Sequence, residues 1–600
     1  MFNRYFALLT GATLLACSCS SEKEPAMPGN VSDGNVKYIS VALTGMPETK
    51  SATRAAGDVF EGQDPDGDST YEYGSEDENR VTRVRFYFFE ENGAAAKVKA
   101  RSDGSYFNYF DWSLDENENE GIGDDAPNIE KILNATLVIN TKAGDKLPAS
   151  VVAVVNPSTN IGDDNRDLAS LREVLGNYKE SIGTGFTMSN SVYLGSNNVE
   201  VTCTPIPQES IQDTPEGALL QPVTIYVERV VSKVRLSVDE QAFAGRIIYI
   251  DGDIAIALKD ASDDHLPIMV DGKQVYARFT NWNLTSFTTK SFLNKHVNPV
   301  WMTNTDFTSW QWNFAPFFRS FWAWNCPDAG REYPSYNELI GSTGAKFGTQ
   351  PTEIYCQENA ASYGNYASGV CDEPTMGIMG AVLCYADGTP VEYYKFLGQT
   401  LVGEQNLLTS MLNSIQSRGS LYSREVVNGK VVFSEISLED VQLETAAAAG
   451  KAELKMDNAG GRYHSFLTLS DTGAAKKWYP SNDENQDATP MRESQVIEFI
   501  QNITGQVSLW NDGMTYYYFP IAHKGKIGDD GKNYGKYGIV RNHIYNSVIT
   551  ELYGLGTPVY NPNEKIYPEK PADNDSYIAA QIEILSWHVV NNDVVLEWPD

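Results

Sequence analysis

The sequence predicts a mainly β protein of at least two domains, with Greek-key β-sandwiches as the architecture. Three observations lead there. The chain has 600 residues, more than a single hydrophobic core accommodates. Short apolar or alternating runs recur at close spacing between Gly, Pro, Asn and Asp, which is the pattern of sandwich strands and turns. Helical periodicity is scarce and is best at residues 167–175 and 404–417.

Composition fits a folded globular chain, with 42% hydrophobic and 21% charged residues. Asp and Glu number 79 against 46 Lys and Arg, a formal charge of −33. A field of that sign repels phosphate backbones and anionic lipid, which argues against nucleic acid as a partner and leaves membrane contact to the lipid of the precursor.

The first residues read as an export signal. Arg4 supplies a positive start, Tyr5 to Leu15 an apolar run, and Leu14-Leu15-Ala16-Cys17 a lipobox-like ending. The run falls well short of the about 20 residues that span a bilayer. Residues 1–16 are therefore expected to be a lipoprotein signal peptide and Cys17 the lipidated residue, placing the precursor at the cell outer membrane. An ordinary signal peptide with an incidental cysteine is the alternative. Residues 18–35 are polar and rich in Ser, Glu, Lys, Pro and Gly, as a tether is.

A strand follows, with Ile39, Val41 and Leu43 alternating with Ser40, Ala42 and Thr44. Beyond it lies a long stretch of small, polar and acidic residues, read as loop up to residue 80, with Lys50 and Arg54 among them. Exposed small residues around a basic side chain are preferred sites of proteolysis. Residues 17–54 are expected to comprise a lipid tether and this N-terminal strand, which the resemblance described below implies is a cleavable propeptide. Further strands are expected at 81–89, 135–140, 151–155 and, as two runs, 223–236, where Glu228, Arg229 and Lys233 sit among Val and Ile. A boundary near Pro222 divides an N-terminal sandwich, 55–222, from a C-terminal one, 223–575, that carries long insertions.

The usual signatures of chemistry are missing. No GxSxG, HExxH, P-loop or GxGxxG occurs, and no cofactor, metal site or enzymatic activity is expected. His523 and His543 are at most a pair on neighbouring strands. Asp64, Asp66 and Asp68 alternate like a calcium loop, but Ser69 and Ser75 stand where glycine and glutamate belong. Cys326, Cys356, Cys371 and Cys384 fall in one region and allow three pairings in an oxidising compartment, or remain buried thiols. Trp282, Trp301, Trp310, Trp312, Trp322 and Trp324 form either a sugar-stacking platform or, the favoured reading, aromatic core.

The far end is strand-like at 516–523 and at 537–545, with a hairpin loop between. After a Pro-rich linker, residues 576–600 form an apolar C-terminal strand. Ile578, Ala580, Ile582 and Ile584 alternate on one face; the phase then switches to Leu585, Trp587 and Val589, followed by Val594 and Leu596.

Taken in order, the lipobox, the first strand with Arg54 beyond it, Val227-Glu-Arg-Val-Val-Ser-Lys-Val234, Tyr517-Tyr-Phe-Pro-Ile-Ala-His523, Gly538-Ile-Val-Arg-Asn-His-Ile-Tyr545 and Ile584-Leu-Ser-Trp587 resemble the major subunits of type V pili, the fimbrillins of Bacteroidales-type bacteria. The resemblance covers nearly the whole chain, with residues 240–510 matching in character rather than by motif. It implies two transthyretin-like sandwich domains, lipoprotein export, and cleavage between Arg54 and Ala55 by a trypsin-like protease. It also implies polymerisation by strand exchange with other copies and related subunits, in support of adhesion to a host or bacterial receptor. In that scheme Ile39, Val41 and Leu43 mark the displaced strand. Ile582, Ile584, Leu585, Trp587, Val589, Val594 and Leu596 mark the donor. The competing readings are a surface glycan-binding lipoprotein and a non-polymerising fimbrial tip adhesin. The first has no use for a cleavable strand, and the second has none for a donor.

Overall fold

The computed structural model describes residues 36–44, 59–61, 70–72, 74, 75, 77–113, 132–179, 185–194, 200–260, 262–296, 313, 314, 319, 320, 323, 326, 330–341, 343–359, 374–397, 399–445, 464–483, 489–510, 512–521, 538–559, 562, 563, 565–567 and 577–586. The fold is mainly β, as expected, and its strands assemble around three main cores.

The N-terminal sandwich is built from runs of Val, Ile and Phe that favour a pleated, half-buried surface. One layer runs from Tyr109–Ser113 through Arg83–Phe89, Ser150–Val155 and Met188–Asn190 to Val223–Arg229. The other contains Ile132–Ile139, Lys37–Thr44 and the first half of Val223–Arg229. Val223–Arg229 thus belongs to both layers, pairing with Lys37–Thr44 at its start and Met188–Asn190 at its end. Strands that switch sheets in this way form the corner of a sandwich.

The expected boundary near Pro222 marks the start of that corner strand. The next strand, Val231–Val238, pairs with Thr352–Gln357 and, in parallel, with His543–Tyr553. The chain therefore passes from one sheet system to the other at Val230. The second sandwich closes with Tyr577–Ser586 alongside His543–Tyr553. Its opposite sheet runs Ile247–Ile250, Asp253–Ala257, Tyr276–Thr285, Met376–Cys384, Met514–Pro520. A register shift between Phe279 and Trp282 marks a bulge in this sheet. The Trp282 ring is buried in the core and its Nε1 donates to Thr352 Oγ1 at 2.7 Å.

Between Cys384 and Met514 the chain builds a third unit. Five strands, from Gln399–Val402 to Val441–Thr445, carry two helices on a separate core. Helix Glu404–Arg418, expected from its periodicity, buries Leu407, Leu408, Met411, Leu412 and Ile415 on one face. Gly403 and Gly419 flank it with positive φ, and Arg418 lies in its last turn, where a cation suits the helix dipole. Helix Glu493–Thr504, which the sequence reading passed over, buries Val496, Ile500 and Thr504 at four-residue spacing.

Two expectations are corrected, and of the two readings left open for the cysteines the described residues favour buried thiols. The stretch between Thr44 and residue 80 is not all loop, because Val59–Glu61 and Thr70–Glu72 pair as a small hairpin. The strand expected over 537–545 begins only at His543 and runs to Tyr553, with a turn at Arg541 and Asn542. No disulfide joins the described cysteines: Cys356, Cys384 and Cys326 lie in separate core clusters. Burial pushes the Cys356 thiol up to about 12, so it is an inert core group. Cys371 lies outside the described residues, as do the calcium-like loop at Asp64–Asp68, His523 and Trp301, Trp310, Trp312, Trp322 and Trp324.

Candidate functional site

Two places in this fold concern the residues singled out from the sequence. The first is the slot that holds Lys37–Thr44. On one side every residue is in register with the antiparallel strand Ile132–Ile139, from Lys37 opposite Ile139 to Thr44 opposite Ile132. On the other, Tyr38 and Ile39 pair with Gln212 and Ile211, and Val41 to Thr44 run parallel to Val223–Tyr226. The strand is internal to its layer. Ile39, Val41 and Leu43 are 0%, 0% and 2% exposed and belong to the N-terminal core. Burying three such side chains contributes roughly 5–9 kcal/mol gross, at about 1.5–3 kcal/mol each.

The second place is the C-terminal closing strand. Tyr577–Ser586 lies antiparallel to His543–Tyr553, with Ile582 opposite Ser547, Ile584 opposite Tyr545 and Leu585 opposite Ile544. The shift in phase within this ladder, between Ile549 and Glu551, falls opposite Ala580 and Ala579. Thr70–Glu72 adds to the far edge through Tyr71 and Ser586. In the single chain these three predicted donor residues therefore complete the sandwich of their own chain. Lys37–Thr44 and Tyr577–Ser586 are in different sheets and are not brought together. Cys17, Arg54, Ala55, Trp587, Val589, Val594 and Leu596 lie outside the described residues.

A set of buried ion pairs bolts the two sandwiches to each other, and it uses two of the motifs quoted above. Lys233 Nζ lies 2.6 Å from Glu78 Oε1, and the Tyr355 hydroxyl donates to the same oxygen at 2.6 Å. Arg229 Nε donates to the Glu78 carbonyl at 3.1 Å, and its other nitrogens reach Asn79 and Asn542. Burial by itself pushes the Glu78 carboxyl up, but Lys233 and Arg229 outweigh it and hold the group below the usual carboxylate range. Lys295 Nζ lies 3.1 Å from Glu228 with both side chains 1% exposed. Arg541 donates to the carbonyls of Leu293 and Phe292 at 2.7 and 2.6 Å and to Glu358 Oε2 at 2.9 Å. Glu228, Arg229 and Lys233 stood out in the sequence as charges inside apolar runs. Glu78, Lys295 and Glu358 did not, since nothing in an isolated Glu or Lys announces a buried partner far along the chain.

Among the described residues no group of His, Cys, Asp and Glu is placed to hold an ion. His543 is buried, with its Nδ1 2.7 Å from the Arg541 carbonyl. No helix among the described residues is long and apolar enough to cross a membrane.

No curated protein sequence matches the chain. Solved structures similar to it include a fimbrilin from Porphyromonas gingivalis, 13% identical with a TM-score of 0.33, covering 92% of this chain and 99% of that one. The tip fimbrial protein Mfa3 from Porphyromonas gingivalis, with a C-terminal truncation, is 10% identical with a TM-score of 0.28 and covers 92% and 100%. A fimbrial assembly protein from Parabacteroides distasonis is 10% identical with a TM-score of 0.25 and covers 67% and 100%. Superpositions this loose carry no functional weight. Residues 508–593 match a family model directly, that of the C-terminal part of fimbrillin, the major fimbrial subunit protein type IV. They span Met514–Pro520, His543–Tyr553 and Tyr577–Ser586. What the chain shares with the fimbrillins is thus their C-terminal region, matched over residues 508–593.

Proposed function

We propose that this chain is a polymerising subunit of a surface fimbria that supports adhesion. It is exported as a lipoprotein anchored at Cys17, cut between Arg54 and Ala55 by a trypsin-like protease, and joined to the next copy by strand exchange. The observation that carries this reading is the position of Lys37–Thr44. An internal strand with three side chains in the core is joined to the body through the segment that contains Arg54. One cut there leaves nothing covalent to hold it, and its departure opens an apolar slot flanked by backbone groups that need partners.

The occupant proposed for that slot is the C-terminal end of another copy, bound by strand addition. Tyr577–Ser586 already has a partner in its own chain. Removing it would expose the edge of His543–Tyr553. The part beyond Ser586, with Trp587, Val589, Val594 and Leu596, is therefore assigned the exchanging role, and Ile582, Ile584 and Leu585 the role of anchoring it. Residues 587–600 reach roughly 45 Å when extended at about 3.3 Å each, against about 26 Å for an eight-residue strand. Association and ordering costs offset part of the gain from burial.

Subunits sheared from filaments test this directly. Their N-terminal sequence is expected to begin at Ala55. Filament subunits that still carry Lys37–Thr44 would overturn the reading.

A further inference from the structure

The strands that border Lys37–Thr44 over most of its length, Ile132–Ile139 and Val223–Arg229, are not equivalent. Val223–Arg229 has, besides Lys37–Thr44, an antiparallel partner in Met188–Asn190 at Val227–Arg229, and the Ser191 N–H donates to the Tyr226 carbonyl. Ile132–Ile139 has Lys37–Thr44 as its one strand partner among the described residues. Its inward side chains Ala135, Leu137 and Ile139 lie in the same core as Ile39, Val41 and Leu43. Thr136 and Val138 alternate with them and face outward.

We propose that loss of Lys37–Thr44 unseats Ile132–Ile139 as well, so that the incoming strand of a second copy meets one preformed wall and refolds the other. This rests on the reading that the first strand departs, and it adds how the slot receives its occupant. Without the ladder, the inward apolar groups described on Ile132–Ile139 that are larger than alanine, Leu137 and Ile139, are left to hold the eight residues of the strand in order. The conformational entropy of those residues exceeds what that burial returns. Val223–Arg229 would then set the parallel register of the entering strand, and Ile132–Ile139 would close over it as an antiparallel flap. Joining copies becomes coupled folding and binding, slower than docking into a rigid groove. A strand that fails to bring the flap back would be held by half of its hydrogen bonds and lost.

Hydrogen exchange read by mass spectrometry on the full-length protein tests this in three states. These are the uncut chain, the chain cut with trypsin-like protease, and the cut chain supplied with a synthetic peptide of residues 37–44 or of residues 587–600. Amides of Ile132–Ile139 are expected to exchange at least about 100-fold faster once Lys37–Thr44 has left, and to return to the slow rate with either peptide bound. Arg83–Phe89 and Met376–Cys384 are expected to stay slow throughout. A Val41→Asp variant of the uncut chain expels the first strand without proteolysis and is expected to give the same acceleration. Slow exchange of Ile132–Ile139 while Lys37–Thr44 is absent or itself exchanging freely, in either arm, would overturn the inference. Retention of residues 37–44 after cutting would instead count against the maturation step, with the Val41→Asp arm still deciding the fate of the flap.

Discussion

The ammonium of Lys233 and the carboxylate of Glu78 meet at 2.6 Å with both side chains 3% exposed. Lys233 lies on Val231–Val238, the first strand of the second sandwich, and Glu78 lies just before Arg83–Phe89, a strand of the first. The segment that follows the proposed cleavage site is thereby fixed to the junction, whatever happens to the strand before it. Removing one partner of such a pair leaves the other charge buried. Glu78→Ala is expected to cost about 3–5 kcal/mol in urea denaturation. The double variant Glu78→Leu with Lys233→Met is expected to recover most of that loss. Equal stability of Glu78→Ala and the parent would show the pair to be dispensable.

The same pair makes the junction sensitive to acid. The folded Glu78 carboxyl is held below its usual range, chiefly against burial, by Lys233 and Arg229. Its stabilisation is therefore fully present above the ordinary carboxylate pKa of about 4.3 and is lost as pH falls through the lower folded value. Lys295 has the opposite history: burial lowers its pKa and Glu228 and Glu358 only partly restore it. For a depressed lysine, stability rises with pH between the folded value and the ordinary one near 10.4. Thermal midpoints measured from pH 3 to pH 7 are expected to rise, and Glu78→Gln is expected to flatten the acid limb.

Arg541 tests geometry rather than charge. Its guanidinium bridges two backbone carbonyls and the Glu358 carboxylate at once, which a lysine ammonium cannot reproduce. Arg541→Lys is expected to destabilise the chain by about 1.5–3 kcal/mol, the value of a hydrogen bond to a charged group. An unchanged urea midpoint would remove Arg541 from the set of buried ion pairs that joins the two sandwiches.

The proposed maturation divides into two separable steps. Cys17→Ala is expected to abolish incorporation of labelled fatty acid and to stop the chain before surface assembly. Arg54→Ala is expected to leave lipidation intact and to accumulate a full-length surface precursor without filaments. Labelling of the Cys17→Ala chain would refute the lipobox, and normal processing of Arg54→Ala would move the cut to another residue, Lys50 being the nearest alternative.

What could be read from the sequence was whatever depends on local pattern. Ile39, Val41 and Leu43 advertise their strand by period-two alternation, and Leu407 to Ile415 advertise their helix by clusters at four-residue spacing. The passage at Val230 was invisible because two apolar runs on either side look alike, although they pair with strands from opposite halves of the chain. Thr70–Glu72 hid in an acidic stretch, since its pairing with Val59–Glu61 and with Ser586 is not a matter of composition. Glu78, Tyr355, Lys295 and Glu358 became meaningful only when folding placed them beside Lys233, Glu228 and Arg541. Trp282 shows the reverse case, a residue conspicuous in the sequence that the fold uses as core.

Cysteine cross-linking reports whether the slot left by Lys37–Thr44 receives the C-terminal end of another copy. One cysteine replaces Thr136 on the flap or Thr224 on the opposite wall, and the other replaces Val590 near the chain end. After cleavage, mild oxidation is expected to give dimers and longer ladders on non-reducing gels, with none from the uncut chain or from a chain truncated after Ser586. Links confined within single chains, or normal ladders and filaments from the truncated chain, would contradict the account.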